Sequence, residues 1–273
     1  MYMEIVDELA AQGRFCFSFA EMVERLDASP AAIRSALNRL KKKGVLALPY
    51  QEFYVILPPE HRARGCLPPQ QFIPDLMEYL GEVYYAGLLT AAEFHGAAHH
   101  RPQVFQVVVA KARRPIECGQ VRVDFIFRKN AANIPTEPRN TTAGIVKIST
   151  PEATALDLIG YVRHCAGLDN VATVLAELAE KMLRNSLDSF IHNDPKLSMA
   201  VLKDDDTIDD LNRDVFRRVV DRMKDNQRTI ETGMGLIRIS RNLERIADLS
   251  TNIAEEVIFI AQARIVKHGA GDK

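Results

Sequence analysis

Two pairs of acids spaced four residues apart, Asp205 with Asp209 and Glu244 with Asp248, are the residues best suited to hold a metal ion. On a helix, residues four apart stand one above the other, so each pair can close on a single cation. Carboxylate oxygens on rigid helices suit a hard or borderline divalent or trivalent ion such as Mg, Mn or Fe. The same acids admit a plainer reading. Arg213 follows Asp209 by four residues, and Arg241 and Arg245 flank Glu244, so surface ion pairs at helical spacing also account for the pattern.

The elements that must position these acids are helices. Leu236, Ile239, Leu243, Ile246, Ser250, Ile253, Val257 and Ile260 recur at alternating steps of three and four, which predicts one long helix with an inward seam. Glu244, Asp248 and Glu255 fall on its other side. A second helix is expected from about Lys196 to Met223, with Ile208, Leu211, Val215 and Val219 as its seam, and a first helix runs through Leu183, Leu187, Phe190 and Ile191. Asn193-Asp194-Pro195 and Lys224-Asp225-Asn226 are the expected breaks between them. Gly233 and Gly235 weaken the start of the third helix by roughly 1 kcal/mol each against alanine.

A second constellation is basic. No acid occurs between Asp27 and Glu52, while Arg34, Arg39, Lys41, Lys42 and Lys43 do. Ser29 followed by Pro30 is a helix start, with Ile33, Leu37 and Leu40 on one face and Gly44 as the stop. Upstream lie a helix from Met3 to Ala11, a strand-like Phe15-Cys16-Phe17, and a helix capped by Ser18 with Glu21 three residues on. Downstream, Val45–Leu48 and Glu52–Ile56 around Pro49-Tyr50 predict a strand–turn–strand wing. This order is that of a winged helix-turn-helix, whose second helix enters the major groove. Ser35, Asn38 and Arg39 are then the base-edge candidates, Lys41, Lys42 and Lys43 the phosphate contacts, and Arg34 a further DNA-binding candidate. The competing reading makes the lysines partners of the helix dipole and the module a protein-docking unit.

Between these ends, a Pro-, Gly- and Arg-rich linker runs through Pro68-Pro69 to Pro74. Val104–Val109 and Val121–Phe127 read as strands, flanked by helical patterns at about 75–98 and 151–180. His95 and His99 are four apart, but without a third ligand they read as a packed pair. Asp124 lies on a strand ahead of Arg128 and Lys129, which admits a nuclease-like site and more simply a charged strand edge. The chain has 273 residues, 47% hydrophobic and 26% charged, with a formal net charge of −1, so any nucleic-acid site must be a local patch. Cys16, Cys66, Cys118 and Cys165 are dispersed and show no CxxC, which suits a reducing cytoplasm and argues against a zinc cluster. The acids Glu4, Asp7 and Glu8 are unlike a signal peptide, and no apolar run reaches the ~18 residues of a membrane span.

Two resemblances add to this reading. The wing module followed by Gly87-Leu-Leu-Thr-Ala-Ala-Glu-Phe-His-Gly96 and Ser149-Thr-Pro-Glu-Ala-Thr-Ala-Leu-Asp157 resembles the AbiEi family, the antitoxins and transcriptional regulators of type IV toxin–antitoxin systems. It covers about residues 1–180. It implies promoter binding and no catalysis, with a nucleotidyltransferase-like toxin in the same system but no direct contact with it. Leu202-Lys-Asp-Asp-Asp-Thr-Ile-Asp-Asp-Leu211, Ile239-Ser-Arg-Asn-Leu-Glu-Arg-Ile-Ala-Asp248 and Thr251-Asn-Ile-Ala-Glu-Glu-Val257 are similar to the PhoU family, which regulates phosphate uptake. That match covers about 181–268 and corresponds to the second of the family's two three-helix bundles. It implies metal on Asp205, Asp209, Glu244 and Asp248, with a phosphate ABC transporter and a sensor histidine kinase as partners. This chain departs from the family in having one bundle and in carrying Leu249 where a histidine usually stands. A homodimer would restore the six-helix arrangement.

The expectation is therefore a multi-domain, mainly α protein with α/β parts. A winged helix-turn-helix fills 1–60, an AbiEi-like α/β domain 61–180, a PhoU-like three-helix bundle 181–268, and a tail 269–273. The expected function is that of a non-enzymatic, cytoplasmic regulator. The alternatives are a phosphate-signalling interaction protein that no longer binds DNA and a degenerate nuclease.

Overall fold

The chain was analysed as a computed structural model, which describes residues 2–97, 102–141, 144–203 and 205–262. In the C-terminal helices the side chains at 205–212, among others, lie outside the described set. Two compact units are present. Unit 1 comprises Met1–Ala86, Gln103–Ala132 and Pro138–Ile148, and unit 2 comprises Gly87–Pro102, Asn133–Glu137 and Ser149–Lys273.

Unit 1 opens with helix α1 (Tyr2–Ala11), strand β1 (Cys16–Ser18), helices α2 (Phe19–Arg25) and α3 (Pro30–Lys42), and strands β2 (Leu46–Tyr50) and β3 (Phe53–Ile56). The strands form an antiparallel sheet in the order β1-β3-β2. Local chemistry explains the helix starts. The Ser18 hydroxyl accepts the Glu21 N–H at 3.1 Å and the Ser29 hydroxyl accepts the Ala32 N–H at 3.3 Å, each satisfying a first-turn donor. The Glu21 carboxylate instead takes Arg14 through two hydrogen bonds of 2.8 and 3.1 Å and also meets Arg25 at 3.0 Å. A two-pronged guanidinium outcompetes a lone backbone N–H for a carboxylate, so only the serine half of the expected capping box forms. Val6, Leu9, Phe17, Met22, Ile33, Leu37, Leu46 and Ile56 make the shared core.

The expected linker is largely helical: α4 (Pro59–Arg62) and α5 (Pro69–Tyr79) follow. Pro74 sits inside α5, yet Phe72, Ile73, Leu76 and Met77 are buried around it. Their burial outweighs the ~3 kcal/mol that an interior proline costs. Strand β4 (Tyr84–Ala86) then divides the stretch expected to be one helical pattern at 75–98 from helix α6 (Leu88–Phe94). Gly81 at φ 61° and Gly87 in an extended conformation mark the two breaks.

Strands β5 (Phe105–Val109), β6 (Ile116–Cys118), β7 (Val121–Phe127), β8 (Thr136–Thr141) and β9 (Gly144–Ser149) complete a six-stranded mixed sheet in the order β6-β7-β5-β4-β9-β8. β5 runs parallel to β7 and antiparallel to β4, and β4 runs parallel to β9. β8, polar but for Pro138, lies at the edge of the sheet, a position that tolerates proline. The β2–β3 hairpin, expected to be a wing, is not free-standing within unit 1. β2 lies against β6, the Phe53 and Tyr79 rings are 5.5 Å apart, and Arg113 donates to the Tyr50 hydroxyl at 2.9 Å.

Unit 2 contains α6 and the helices α7 (Pro151–Gly160), α8 (Leu168–Ile191), α9 (Pro195–Lys203), α10 (Asp205–Asp225) and α11 (Ile230–Gln262). α11 packs on α8, α9 and α10, and α7 covers one end of that group. The boundary drawn at 180 falls inside α8, on which Val171, Val174 and Leu175 are buried before it and Ser186 and Ser189 after it. α9 and α10 cover the span of the expected second helix, and the tail 269–273 lies outside the described residues.

Two seam expectations change. Leu183, Leu187, Phe190 and Ile191 face outward on α8, Ile191 at 71% exposure, while Ser186 and Ser189 are fully buried. Both serines return their hydroxyl protons to helix carbonyls, at 2.8 and 2.7 Å, so the small side chains permit close packing without an orphaned polar group. On α11, Leu236, Leu243, Ser250 and Val257 are buried as expected, but Ile260 is 61% exposed and Ile258 is buried instead. A straight helix drifts about 20° per heptad against a 3.5-residue repeat, enough over this length to turn Ile260 out. Gly233 is a packing residue: a Cβ there would press on the Met223 side chain and lie 3.2 Å from Val219 Cγ1.

Candidate nucleic-acid interface and the carboxylate helices

On α3 the apolar set Ile33, Ala36, Leu37 and Leu40 is buried, and this fixes which residues point outward. Arg34, Ser35, Asn38, Arg39, Lys41, Lys42 and Lys43 are all exposed. Ser35, Asn38 and Arg39 share one face at spacings of three and four. Among the described residues, no hydrogen bond or ion pair engages the side chains of Ser35, Asn38, Arg39, Lys42 or Lys43.

Arg34 stands apart from that group. Its guanidinium pairs with Glu52 at 2.9 Å and lies 4.2 Å from the Phe19 ring centroid. Glu52 occupies the left-handed region at φ 57° in the turn between β2 and β3, and its carbonyl accepts the Phe19 N–H at 2.8 Å. Arg34 therefore ties α3 to the wing turn and to the start of α2. Its charge is balanced by the first acid after the basic run, which leaves Arg39, Lys41, Lys42 and Lys43 as the basic patch.

The carboxylate pairs stand differently. Glu244 is half-buried and lines a cleft of about 390 Å³ between α10 and α11, together with Arg213, Phe216, Arg217, Ser240 and Arg241. Asp248, one turn on, is exposed. The backbones at Asp205 and Asp209 lie in α10, and their side chains lie outside the described residues. Among the described residues no three His, Cys, Asp or Glu side chains are gathered as a metal centre needs. Glu244 shares the cleft wall with Arg213, Arg217 and Arg241.

His95 is buried, with Nε2 donating to the Ser149 carbonyl at 2.7 Å and Nδ1 3.6 Å from Glu137. It links α6 to the start of α7, where the Thr150 hydroxyl accepts the Ala153 N–H and the Ser149 and Thr154 hydroxyls meet at 2.7 Å. This is the packed role expected of it; His99 lies outside the described residues. Asp124 pairs in register with Gln106 on β5, and no ligand cluster surrounds it among the described residues. Sequence reading missed one juxtaposition. Cys66 and Cys118, distant in the chain, lie in contact, and the only local signal was a glycine beside each of them.

The fold is that of a multi-domain, mainly helical protein with two sheets among the described residues. Comparison with known proteins names the parts. Residues 85–203 match the AbiEi antitoxin C-terminal domain, and residues 173–257 match the PhoU domain. The two matches overlap across α8 and α9. The chain is 38% identical over 94 residues to a phosphate-specific transport system accessory protein PhoU homolog of Zymomonas mobilis, covering 34% of this chain and 40% of that protein. It is 32% identical over 87 residues to PhoU homolog 1 of Thermotoga maritima, covering 32% of this chain and 38% of that protein. The corresponding figures for the Pseudomonas aeruginosa homolog are 35% identity over 89 residues, 33% of this chain and 37% of that protein. The chain thus spans about 40% of the length of the first of these relatives. An AbiEi antitoxin-like regulator domain and a PhoU domain share this polypeptide. Among the described residues, no helix is long and apolar enough to cross a membrane.

Proposed function

We propose that this protein is a cytoplasmic, non-enzymatic transcriptional regulator whose residues 1–60 act as a winged helix-turn-helix on promoter DNA. One observation carries the reading: the outward face of α3 holds Ser35, Asn38 and Arg39 side by side, ahead of Lys41, Lys42 and Lys43, with Arg34 bracing the wing. Asn and Arg offer paired donors and acceptors to base edges, and the lysines supply phosphate contacts. Fluorescence anisotropy with the DNA upstream of its own gene tests this. Arg39→Ala is expected to weaken binding by roughly 5- to 150-fold, the ~1–3 kcal/mol of one bidentate contact. Wild-type affinity should fall steeply as salt rises. Salt-independent binding, or an Arg39→Ala variant as tight as wild type, would sink the assignment.

The PhoU-like helices support a link to phosphate uptake, with a phosphate ABC transporter and a sensor histidine kinase as candidate partners and a nucleotidyltransferase toxin in the same system but not in contact. The outward apolar stripe Leu183, Leu187, Phe190 and Ile191 favours protein docking, including a second copy of the chain. It also supports the rival reading of an interaction protein that no longer binds DNA, which the anisotropy measurement separates. Asp205, Asp209, Glu244 and Asp248 are the proposed positions for a Mg, Mn or Fe ion, which would lock α10 to α11. Elemental analysis after dialysis against each metal checks this: replacing all four with alanine is expected to abolish retained metal, and unchanged metal content counts against the site.

A further inference from the structure

Gly65 and Gly119 allow two backbone segments of unit 1 to touch. Both adopt left-handed conformations, at φ 75° and 58°, and a Cβ on Gly65 would lie 3.1 Å from the Gly119 Cα. The Gln120 N–H donates to the Arg64 carbonyl at 2.8 Å, and the Cys118 Sγ lies 3.9 Å from the Gly65 carbonyl oxygen. Next to this contact the Cys66 and Cys118 side chains are neighbours, close enough for each to shift the titration of the other. The two cysteines differ in setting. Cys66 is fully buried, whereas Cys118 is partly exposed at the end of β6, an edge strand of the larger sheet.

Two further groups face Cys118. The Leu48 N–H lies near its sulfur, on the stretch of β2 where the ladder with β3 shifts register, and the Lys41 ammonium of α3 adds positive charge. The neighbouring Cys66 thiol is the largest influence, and with these two it outweighs burial and holds the Cys118 thiol down to about 7. The same neighbour interaction, and then burial, push the Cys66 thiol far up. The partly exposed sulfur is thus the readier of the two to ionise and to meet an oxidant.

We propose that Cys66 and Cys118 form a peroxide-responsive thiol pair, with Cys118 as the attacking sulfur and Cys66 as the resolving one, closing a disulfide beside α3 and β2. The Cys118 thiolate attacks one oxygen of a hydroperoxide, the O–O bond breaks, and hydroxide (or alkoxide) leaves, giving a sulfenic acid. The Cys66 sulfur then attacks the sulfenic sulfur, the S–OH bond breaks, and the Cys66 proton leaves with that hydroxide as water. Two thiols together lose two electrons, and the peroxide is reduced by two. Closure removes the anionic sulfur that the Leu48 N–H and Lys41 face. An effect on DNA affinity through the end of α3 rests on the DNA-binding reading above; the disulfide does not.

The test treats the full chain with hydrogen peroxide, blocks remaining thiols under denaturing conditions, and maps peptides by mass. The expected product has lost the mass of two hydrogens and contains a crosslinked Cys66–Cys118 peptide, reversed by dithiothreitol. Cys66→Ser should stop at a sulfenic acid on Cys118, captured by dimedone, and Cys118→Ser should leave Cys66 unoxidised. In the untreated wild-type protein, which needs no variant to fold, alkylation of Cys118 by iodoacetamide should reach half its maximal rate near pH 7. Absence of the crosslinked peptide overturns the proposal, as does oxidation of Cys16 or Cys165 ahead of Cys118. Burial raises both of those thiols, Cys165 to about 12. If the crosslink forms in a protein that never binds DNA, the DNA reading fails and the thiol pair stands.

Discussion

Replacing Gly119 with alanine is expected to destabilise the protein by about 3–5 kcal/mol, seen as a fall of roughly 10 °C in the thermal midpoint of the full chain. Three costs combine. The residue sits at φ 58°, where a Cβ costs about 1–2 kcal/mol. That Cβ would collide with the Arg64 carbonyl and lie 2.8 Å from the backbone carbon and Cα of Gly65. Backbone, unlike the end of a side chain, cannot swing aside, so the β6–β7 turn must lift away. Lifting it breaks the Gln120 N–H bond to Arg64 and draws Cys118 from Cys66, losing about 1 kcal/mol or more. Gly81→Ala is the matched control, since Gly81 also has a positive φ, 61°, but nothing lies within 4 Å of its added Cβ. A Gly119→Ala variant no less stable than Gly81→Ala would show that the close approach does not matter.

The second large effect is expected at Arg113. Its Nε donates to Glu82 Oε2 at 2.7 Å and its Nη1 to the Tyr50 hydroxyl at 2.9 Å, and its guanidinium carbon lies 5.9 Å from the Tyr50 ring centroid. The Glu82 side chain is 6% exposed and that of Arg113 is 16% exposed, so Arg113→Ala leaves a nearly buried carboxylate without its main partner. The loss should be about 2–3 kcal/mol, below the full range for a buried pair because Lys111 remains 3.6 Å from Glu82. The Arg113 hydrogen bond holds the Glu82 carboxyl below its usual range, against desolvation. A lowered folded-state value adds stability above the unfolded-state value, and that contribution is lost as pH falls through the folded one. Urea unfolding of both proteins should therefore show a wide gap near about pH 7 that narrows by about pH 3. A gap independent of pH would mean that Arg113 acts through packing alone. Because Arg113 also reaches Tyr50 at the end of β2, the variant should loosen the wing and weaken any DNA binding that depends on it.

Much of this architecture was legible from short-range chemistry. Ser18, Ser29 and Pro30 announced two helix starts because capping is decided within four residues. The apolar faces of α3 and α11 followed from a 3.6-residue repeat, which needs no partner to be read. Strands β5 and β7 were visible as runs of Val, Ile and Phe. β4, β6 and β8 were not, because two have three residues and the third is polar but for Pro138, and each is a strand only through the neighbour that pairs with it. The outward stripe of α8 was invisible for the same reason. A serine becomes a packing residue only when another helix approaches closely enough to require a small side chain.

For the candidate sites the division is sharper. The sequence by itself determined the basic, acid-free run on α3, the acid pairs of α10 and α11, and the two domains to which this chain is related, since these are matters of residue type and spacing. Only the tertiary structure decided that Arg34 belongs to Glu52 and Phe19, that Glu244 stands among arginines, and that Cys66 meets Cys118. Charge complementarity, desolvation and thiol contact depend on distances through space, and residues far apart in the chain acquire those distances only when the backbone folds back on itself.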